Sequence, residues 1–182
     1  MKIISTTLPE VKVIEPTVFD DERGFFFESW NSKAFADHGI DANFVQDNHS
    51  KSARGVLRGI HYQIGLGQGK LVRVIAGAVF DVAVDLRKSS ANYGKYVSRI
   101  LSAENREMLW IPPGFGHGFL ALENGTEFLY KCTELYSQAD DRSVIWSDIE
   151  IGINWPCMGL TGYQLSAKDS CAPTLNDAET FS

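Results

Sequence analysis

His61, Lys70, His117 and Tyr130 are the side chains in this sequence best suited to moving protons at neutral pH. A neutral histidine accepts a proton readily there, because its reference pKa of about 6.5 lies close by. A carboxylate bonded to the far ring nitrogen would fix the tautomer and stabilise the imidazolium that forms. A lysine ammonium stabilises negative charge appearing on a substrate oxygen, and a tyrosine phenol returns a proton from another direction. Base, oxyanion stabiliser and acid together suit proton removal alpha to a carbonyl with reprotonation on the opposite face, which is an epimerisation. Each residue also has a plainer reading. His61 could be a satisfied barrel histidine, His117 a turn residue and Tyr130 an ordinary core aromatic. Asp81 and Asp85, on one face of an alternating run from Val79 to Leu86, are candidates to support the lysine and the histidines.

These residues are organised by the stretch Phe44-Val45-Gln46-Asp47-Asn48-His49-Ser50 and by Val56-Leu57-Arg58-Gly59-Ile60-His61-Tyr62-Gln63, which follows it. The mixture of apolar and polar residues in the second segment suits a half-buried strand. Regular alternation would place Val56, Arg58 and Ile60 on one face, and Leu57, His61 and Gln63 on the other beside Gly59. Turning such groups inward needs a reason, since an unpaired buried polar group costs about 1–3 kcal/mol. Two readings stand: a polar edge strand facing water, or the floor of a pocket.

The remaining elements point to an all-β fold. Val11 to Pro16 reads as a strand stopped by proline, and Asp20 to Gly24 as a turn into the aromatic strand Phe25 to Trp30. So dense an aromatic run belongs in a core or against another subunit. Asn31-Ser32 caps a short helix from Lys33 to His38 that ends at Gly39. Leu71 to Ile75, Val79 to Leu86, Tyr96 to Leu101, Met108 to Ile111, Phe115 to Leu122 and Thr126 to Thr133 follow as strands. Gly77 and Pro112-Pro113-Gly114 punctuate them, and Asn124-Gly125 signals a hairpin. Short strands recurring at such intervals imply a sandwich or barrel, in the form of a jelly roll. The glycine-rich link from Ile64 to Lys70 lacks the ending of a phosphate-binding loop. No linker or repeat divides the 182 residues, so residues 1–182 are expected to form one domain.

The net charge of -6 argues against non-specific binding to nucleic acid or anionic membranes. No apolar run approaches the roughly 18–20 residues of a membrane helix, and no signal peptide is evident, so a cytoplasmic location is expected. Cys132, Cys157 and Cys171 lack metal or disulfide spacing and are expected to be reduced. Pro113-Gly114-Phe115-Gly116-His117 with Asn124 resembles the second box of the cupins, jelly-roll barrels that often hold a metal. The first-box region, however, offers only His61, followed by Lys70. Protonated lysine is no ligand and repels a divalent ion, so no metal is expected.

Eight segments in register resemble the dTDP-4-dehydrorhamnose 3,5-epimerase family over nearly the whole chain. They are Arg23-Gly24-Phe25-Phe26, Phe44 to Ser50, Leu57 to Gln63, Gln68 to Arg73, Phe80 to Asp85, Trp110-Ile111-Pro112, Phe128 to Lys131 and Leu165-Ser166-Ala167-Lys168-Asp169. The resemblance implies a cupin-type jelly roll that works as a homodimer on a dTDP-linked 4-keto-6-deoxy sugar, without cofactor or metal. His61 matches the general base, Asp169 its carboxylate, Tyr130 the general acid and Lys70 the group that stabilises the enolate. Arg23, Glu28, Gln46, Asp47, Asn48, Arg58, His117 and Lys168 match substrate-binding positions, Arg58 and Lys168 chiefly for the diphosphate. Arg23 and Glu28 are expected to cross from a partner subunit. Tyr136 matches an aromatic face for the thymine, and Asp141 stands where a glutamate is usual at a further contact. The competing readings are a sister enzyme that epimerises C3 or C5 alone, a non-catalytic jelly roll that binds a sugar nucleotide, and a metal-dependent cupin.

Overall fold

The computed structural model describes residues 1–182. In chain order the elements are β1 (Lys2–Ser5), β2 (Lys12–Glu15), β3 (Phe19–Asp21), β4 (Gly24–Phe26), α1 (Ser32–Ala36), β5 (Gln46–Ser52), β6 (Leu57–Gln63) and β7 (Lys70–Ala76). There follow β8 (Ala78–Asp85), β9 (Tyr96–Ser102), β10 (Met108–Ile111), β11 (Phe115–Ala121), β12 (Thr126–Cys132), β13 (Asp141–Ser143) and α2 (Ala167–Ser170). One sheet has the order β1-β2-β10-β7-β12-β5 and the facing sheet the order β13-β6-β11-β8-β9, which is the jelly-roll sandwich expected from the strand pattern.

Alternation along each strand sorts the apolar residues into three layers. Val72 and Val74, Val79 and Ala83, Phe115 and Phe119, and Phe128 meet between the sheets. The outer face of the five-stranded sheet carries Ile60, Tyr62, Val82 and Val84, covered by Val144, Ile151, Leu175 and Ala178 of the C-terminal segment. The outer face of the other sheet carries Leu71, Met108 and Trp110 under Phe35 and Ile40. Asn31 caps α1 as anticipated, its side chain accepting from the Ala34 amide. No helix is long and apolar enough to cross a membrane.

Three expectations from the sequence are corrected. Asn124-Gly125 does not close a hairpin of paired strands. The strands it joins lie in different sheets, with β11 paired to β6 and β8 and β12 paired to β5 and β7. The aromatic run is strand only as far as Phe26, in a small β3–β4 hairpin outside both sheets. Most consequentially, β6 does not alternate regularly. Its register with β11 shifts between His117↔His61 and Phe119↔Arg58. Arg58 therefore shares the inner face with His61, while Ile60 turns outward beside Tyr62.

Glycine makes that shift possible. Gly59 has φ +123°, and a Cβ placed on it would lie 2.4 Å from Gly118 Cα, a backbone atom with no side-chain freedom to retreat. Gly59→Ala is expected to lose about 3 kcal/mol of stability in urea unfolding, from strain and overpacking together. A loss below about 1 kcal/mol would show that the two strands can separate without cost.

Candidate active site

The interior between the sheets is apolar on one side and polar on the other. The polar side opens as a cavity of about 350 Å³ lined by Gln46, Asn48, His61, Gln63, Lys70, Tyr130, Tyr136, Asp141 and Lys168, among others. Each wall of the sandwich contributes. β6 supplies His61 and Gln63, whereas β5, β7 and β12 supply Gln46, Asn48, Lys70 and Tyr130. The pocket-floor reading of the central stretch therefore holds.

His61 Nε2 lies 2.5 Å from Asp169 Oδ1, across 108 residues of sequence, and Asp169 is 2 % exposed. Ser166 caps α2 by accepting from the Asp169 amide and donates its own hydroxyl to Asp169 Oδ2, so the carboxylate is clamped before it meets the imidazole. Burial pushes the Asp169 carboxyl up, but hydrogen bonds from His61 and Ser166 outweigh this and hold it below the usual carboxylate range. A carboxylate at Nε2 fixes the proton there and leaves Nδ1 as the basic nitrogen.

Lys70 reaches across from the opposite sheet, its Nζ donating to the His61 carbonyl oxygen at 3.4 Å. No carboxylate lies within ion-pairing distance of it, and the residue is 8 % exposed. Burial lowers the lysine pKa, opposed at longer range by Cys132, Asp141 and Asp81. Tyr130 is half-buried against the core, and burial raises its phenol pKa, so the proton is retained at neutral pH. His117 is His61's register partner and is held through Nε2 by both oxygens of buried Asp81, at 3.0 and 3.1 Å. Burial pushes the Asp81 carboxyl up, and His117 and Lys70 work against that shift.

Gln46 and Asn48 face the cavity, joined by a 3.0 Å bond from Gln46 Nε2 to Asn48 Oδ1. Asp47, between them, turns to the outer face and pairs with Lys131 at 2.9 Å, in a second hollow lined by Arg73 and Leu129 that shares Asn48 and Tyr130 with the cavity. Arg58 faces inward and donates to Ser52 Oγ at 3.3 Å. Tyr136, Asp141 and Lys168 form the mouth. Arg23 and Glu28 lie outside this cavity within one chain, bonded to Asp21 and Asn31 respectively. Asp85 does not support the histidines. Arg87 and Ser90 occupy its carboxylate.

Gln63 and Gln68 are site residues that sequence reasoning did not single out. They hold the loop after β12 through the carbonyls of Leu135 and Glu134. For Gln63 the signal was its phase with His61, whereas Gln68 in a glycine-rich link carried none. No set of three or more His, Cys, Asp or Glu side chains converges anywhere in the chain to cradle a metal ion. Cys132, Cys157 and Cys171 are free.

Residues 5–177 match the family model described as dTDP-4-dehydrorhamnose 3,5-epimerase. An enzyme of that name from Salmonella typhimurium is 54% identical over 180 residues, covering 98% of this chain and 97% of its own. Another from Pseudomonas aeruginosa is 50% identical over 182 residues, covering 100% and 99%. The crystal structure of a dTDP-6-deoxy-D-glucose-3,5-epimerase from Legionella pneumophila in complex with dTDP-4-keto-L-rhamnose superposes with a TM-score of 0.93 at 48% identity, covering 97% of this chain and 93% of that one. The fold, the cavity and the likeness along the full chain agree: this protein belongs to the dTDP-4-dehydrorhamnose 3,5-epimerase family.

Proposed function

We propose that the cavity carries out 3,5-epimerisation of dTDP-4-dehydro-6-deoxy-D-glucose to dTDP-4-dehydro-L-rhamnose, with His61 as base, Lys70 as enolate stabiliser and Tyr130 as acid. The observation that carries this reading is the division of labour between two walls. An imidazole backed by a buried carboxylate stands on one sheet, and an ammonium and a phenol stand on the other. The C4 ketone acidifies the protons at C5 and C3. His61 Nδ1 takes each in turn, releasing the first proton to solvent before it takes the second, and the electron pair left behind moves onto the C4 oxygen, where the Lys70 ammonium lies in wait. Tyr130 then delivers a proton to the opposite face of the same carbon and must be reprotonated from solvent before it serves the second carbon. Gln46, Asn48, Arg58, His117 and Lys168 hold the rest of the sugar nucleotide, and Tyr136 offers its ring to the base.

The working unit in this reading is a homodimer. Phe19, Phe25 and Phe26 are 63%, 57% and 65% exposed on the β3–β4 hairpin, an aromatic patch of the kind that marks a protein interface. Arg23 and Glu28 adjoin that patch, and by exchanging their partners Asp21 and Asn31 they would complete the site of a second copy.

Incubation of the protein with the 4-keto sugar nucleotide in heavy water, followed by NMR, should place deuterium at both C3 and C5. Label at one carbon alone would assign a mono-epimerase, and no label would remove the catalytic reading. His61→Ala should cut the exchange rate by about 10³-fold or more, since it removes the base. Tyr130→Phe should lower net epimerisation more than solvent exchange, because the His61 imidazolium, once it has traded its proton with solvent, can still return a deuteron to the face the proton left.

Lys70 also makes a stability prediction. Its folded pKa lies below that of the unfolded chain, so between the two values the unfolded state binds more protons and stability rises with pH. Below that window the burial penalty of the ammonium is fully present. Lys70→Met should therefore stabilise the protein by about 1–2 kcal/mol at pH 7 while activity falls by orders of magnitude. The stability gain should shrink as the pH approaches about 10.4. Unfolding curves across that range check it, and a destabilised Lys70→Met protein would show that the ammonium's contacts outweigh its desolvation.

A further inference from the structure

The cation at the cavity mouth, Lys168, is paired with a carboxylate of the same chain. Lys168 Nζ lies 2.5 Å from Asp141 Oδ2, and the Tyr136 hydroxyl donates to that same oxygen at 3.3 Å. All three side chains line the cavity that holds His61 and Lys70. Asp141 is fixed by β-sheet pairing, being the register partner of Gln63 at the edge of the five-stranded sheet, and its side chain is 21% exposed. Lys168, on α2, is 43% exposed and carries a long flexible stem. The carboxylate is thus the stationary member of the pair and the ammonium the movable one. Lys70 presents a contrast in the same cavity, since no carboxylate pairs with it directly.

We propose that Asp141 is an internal competitor for Lys168, displaced from it by the diphosphate of the ligand; this rests on the reading of the cavity as a sugar-nucleotide site. A single ammonium cannot serve a carboxylate and a diphosphate fully, and the two anions repel each other across it. Binding therefore moves the Lys168 head from Asp141 to the phosphates and leaves the carboxylate to Tyr136. The competition lowers affinity for substrate and product alike, which favours release after turnover. Because Lys168 directly precedes Asp169 in α2, the exchange takes place one residue from the carboxylate that orients the base.

Calorimetric titration with dTDP, and separately with inorganic pyrophosphate and with thymidine, tests this in the wild type, Asp141→Asn, Lys168→Met and the double variant. Asp141→Asn should bind dTDP about two- to five-fold more tightly, the range expected for releasing a partly exposed ion pair. Pyrophosphate should follow the same direction and thymidine should not change. Lys168→Met should weaken dTDP binding, and Asp141→Asn should gain less in the Lys168→Met background than in the wild type, because most of the gain needs the lysine. Equal or weaker dTDP binding by Asp141→Asn, a gain of the same size without Lys168, or an equal gain for thymidine would each overturn the competitor role. Failure of the wild type to bind dTDP at all would instead overturn the underlying reading of the site.

Discussion

An ammonium group inside a β-sandwich, without a carboxylate in contact, is the constraint around which the rest of the molecule is arranged. Lys70 is 8 % exposed, and its best hydrogen bond is a long one to a backbone carbonyl. Removing a charge from water costs several kcal/mol unless other groups offset it. The offset here comes from dipoles and from carboxylates at a distance, Asp81 and Asp141, which favour the charged form without neutralising it by contact. An ammonium left in that condition gains most when an oxygen in front of it becomes an oxyanion. The stabilisation is then larger in the transition state than in the ground state, which is the requirement for accelerating the chemistry.

Such a site needs a scaffold that does not relax around it. Stacked Phe119 and Phe128 back His117, with ring centroids 4.3 Å apart, so the polar half of the interior rests directly on the packed half. Two imidazole–carboxylate pairs stand side by side on the inner face of one sheet. His61 is held by Asp169 from the C-terminal segment, and His117 by Asp81 from the adjacent strand β8. The first pair joins the outlying tail to the wall that carries His61. Ile151, Leu175 and Ala178 in the covering layer therefore help to place an imidazole from a distance.

The sequence made the fold class and most of the cavity legible, because both rest on local patterns. Alternation identified β8, short runs between Gly, Pro and Asn breaks identified β7, β11 and β12, and the phase of His61 with Gln63 marked an inward polar face. What it did not show follows from interactions that have no local signature. Asp169 lies in a four-residue helix and meets His61 across 108 residues, so only likeness to a family could connect them. Regular alternation misplaced Arg58, since a shift at Gly59 reverses the phase in mid-strand. Asn124-Gly125 has the composition of a hairpin turn, yet a jelly roll requires the chain to change sheets there. Asp47 matched a binding position by motif; within one chain alternation turns it outward from Gln46 and Asn48, where it pairs with Lys131.

The arrangement of walls bears on stereochemistry as well as rate. Inversion at a carbon needs the proton to leave from one face and arrive at the other, and a single base on a single wall returns it to the face it left. In a sandwich the two sheets approach a bound ring from its two sides. His61 comes from the five-stranded sheet and Tyr130 from the six-stranded sheet, each as an inward residue of its own strand. Their chemistry differs in the direction the proposed mechanism requires. The buried carboxylate behind His61 favours proton uptake, and burial of Tyr130 favours the protonated phenol. In the proposed mechanism Lys70 holds the oxygen between them, and the intermediate is reached from either wall. The direction of inversion then depends on which wall carries the base.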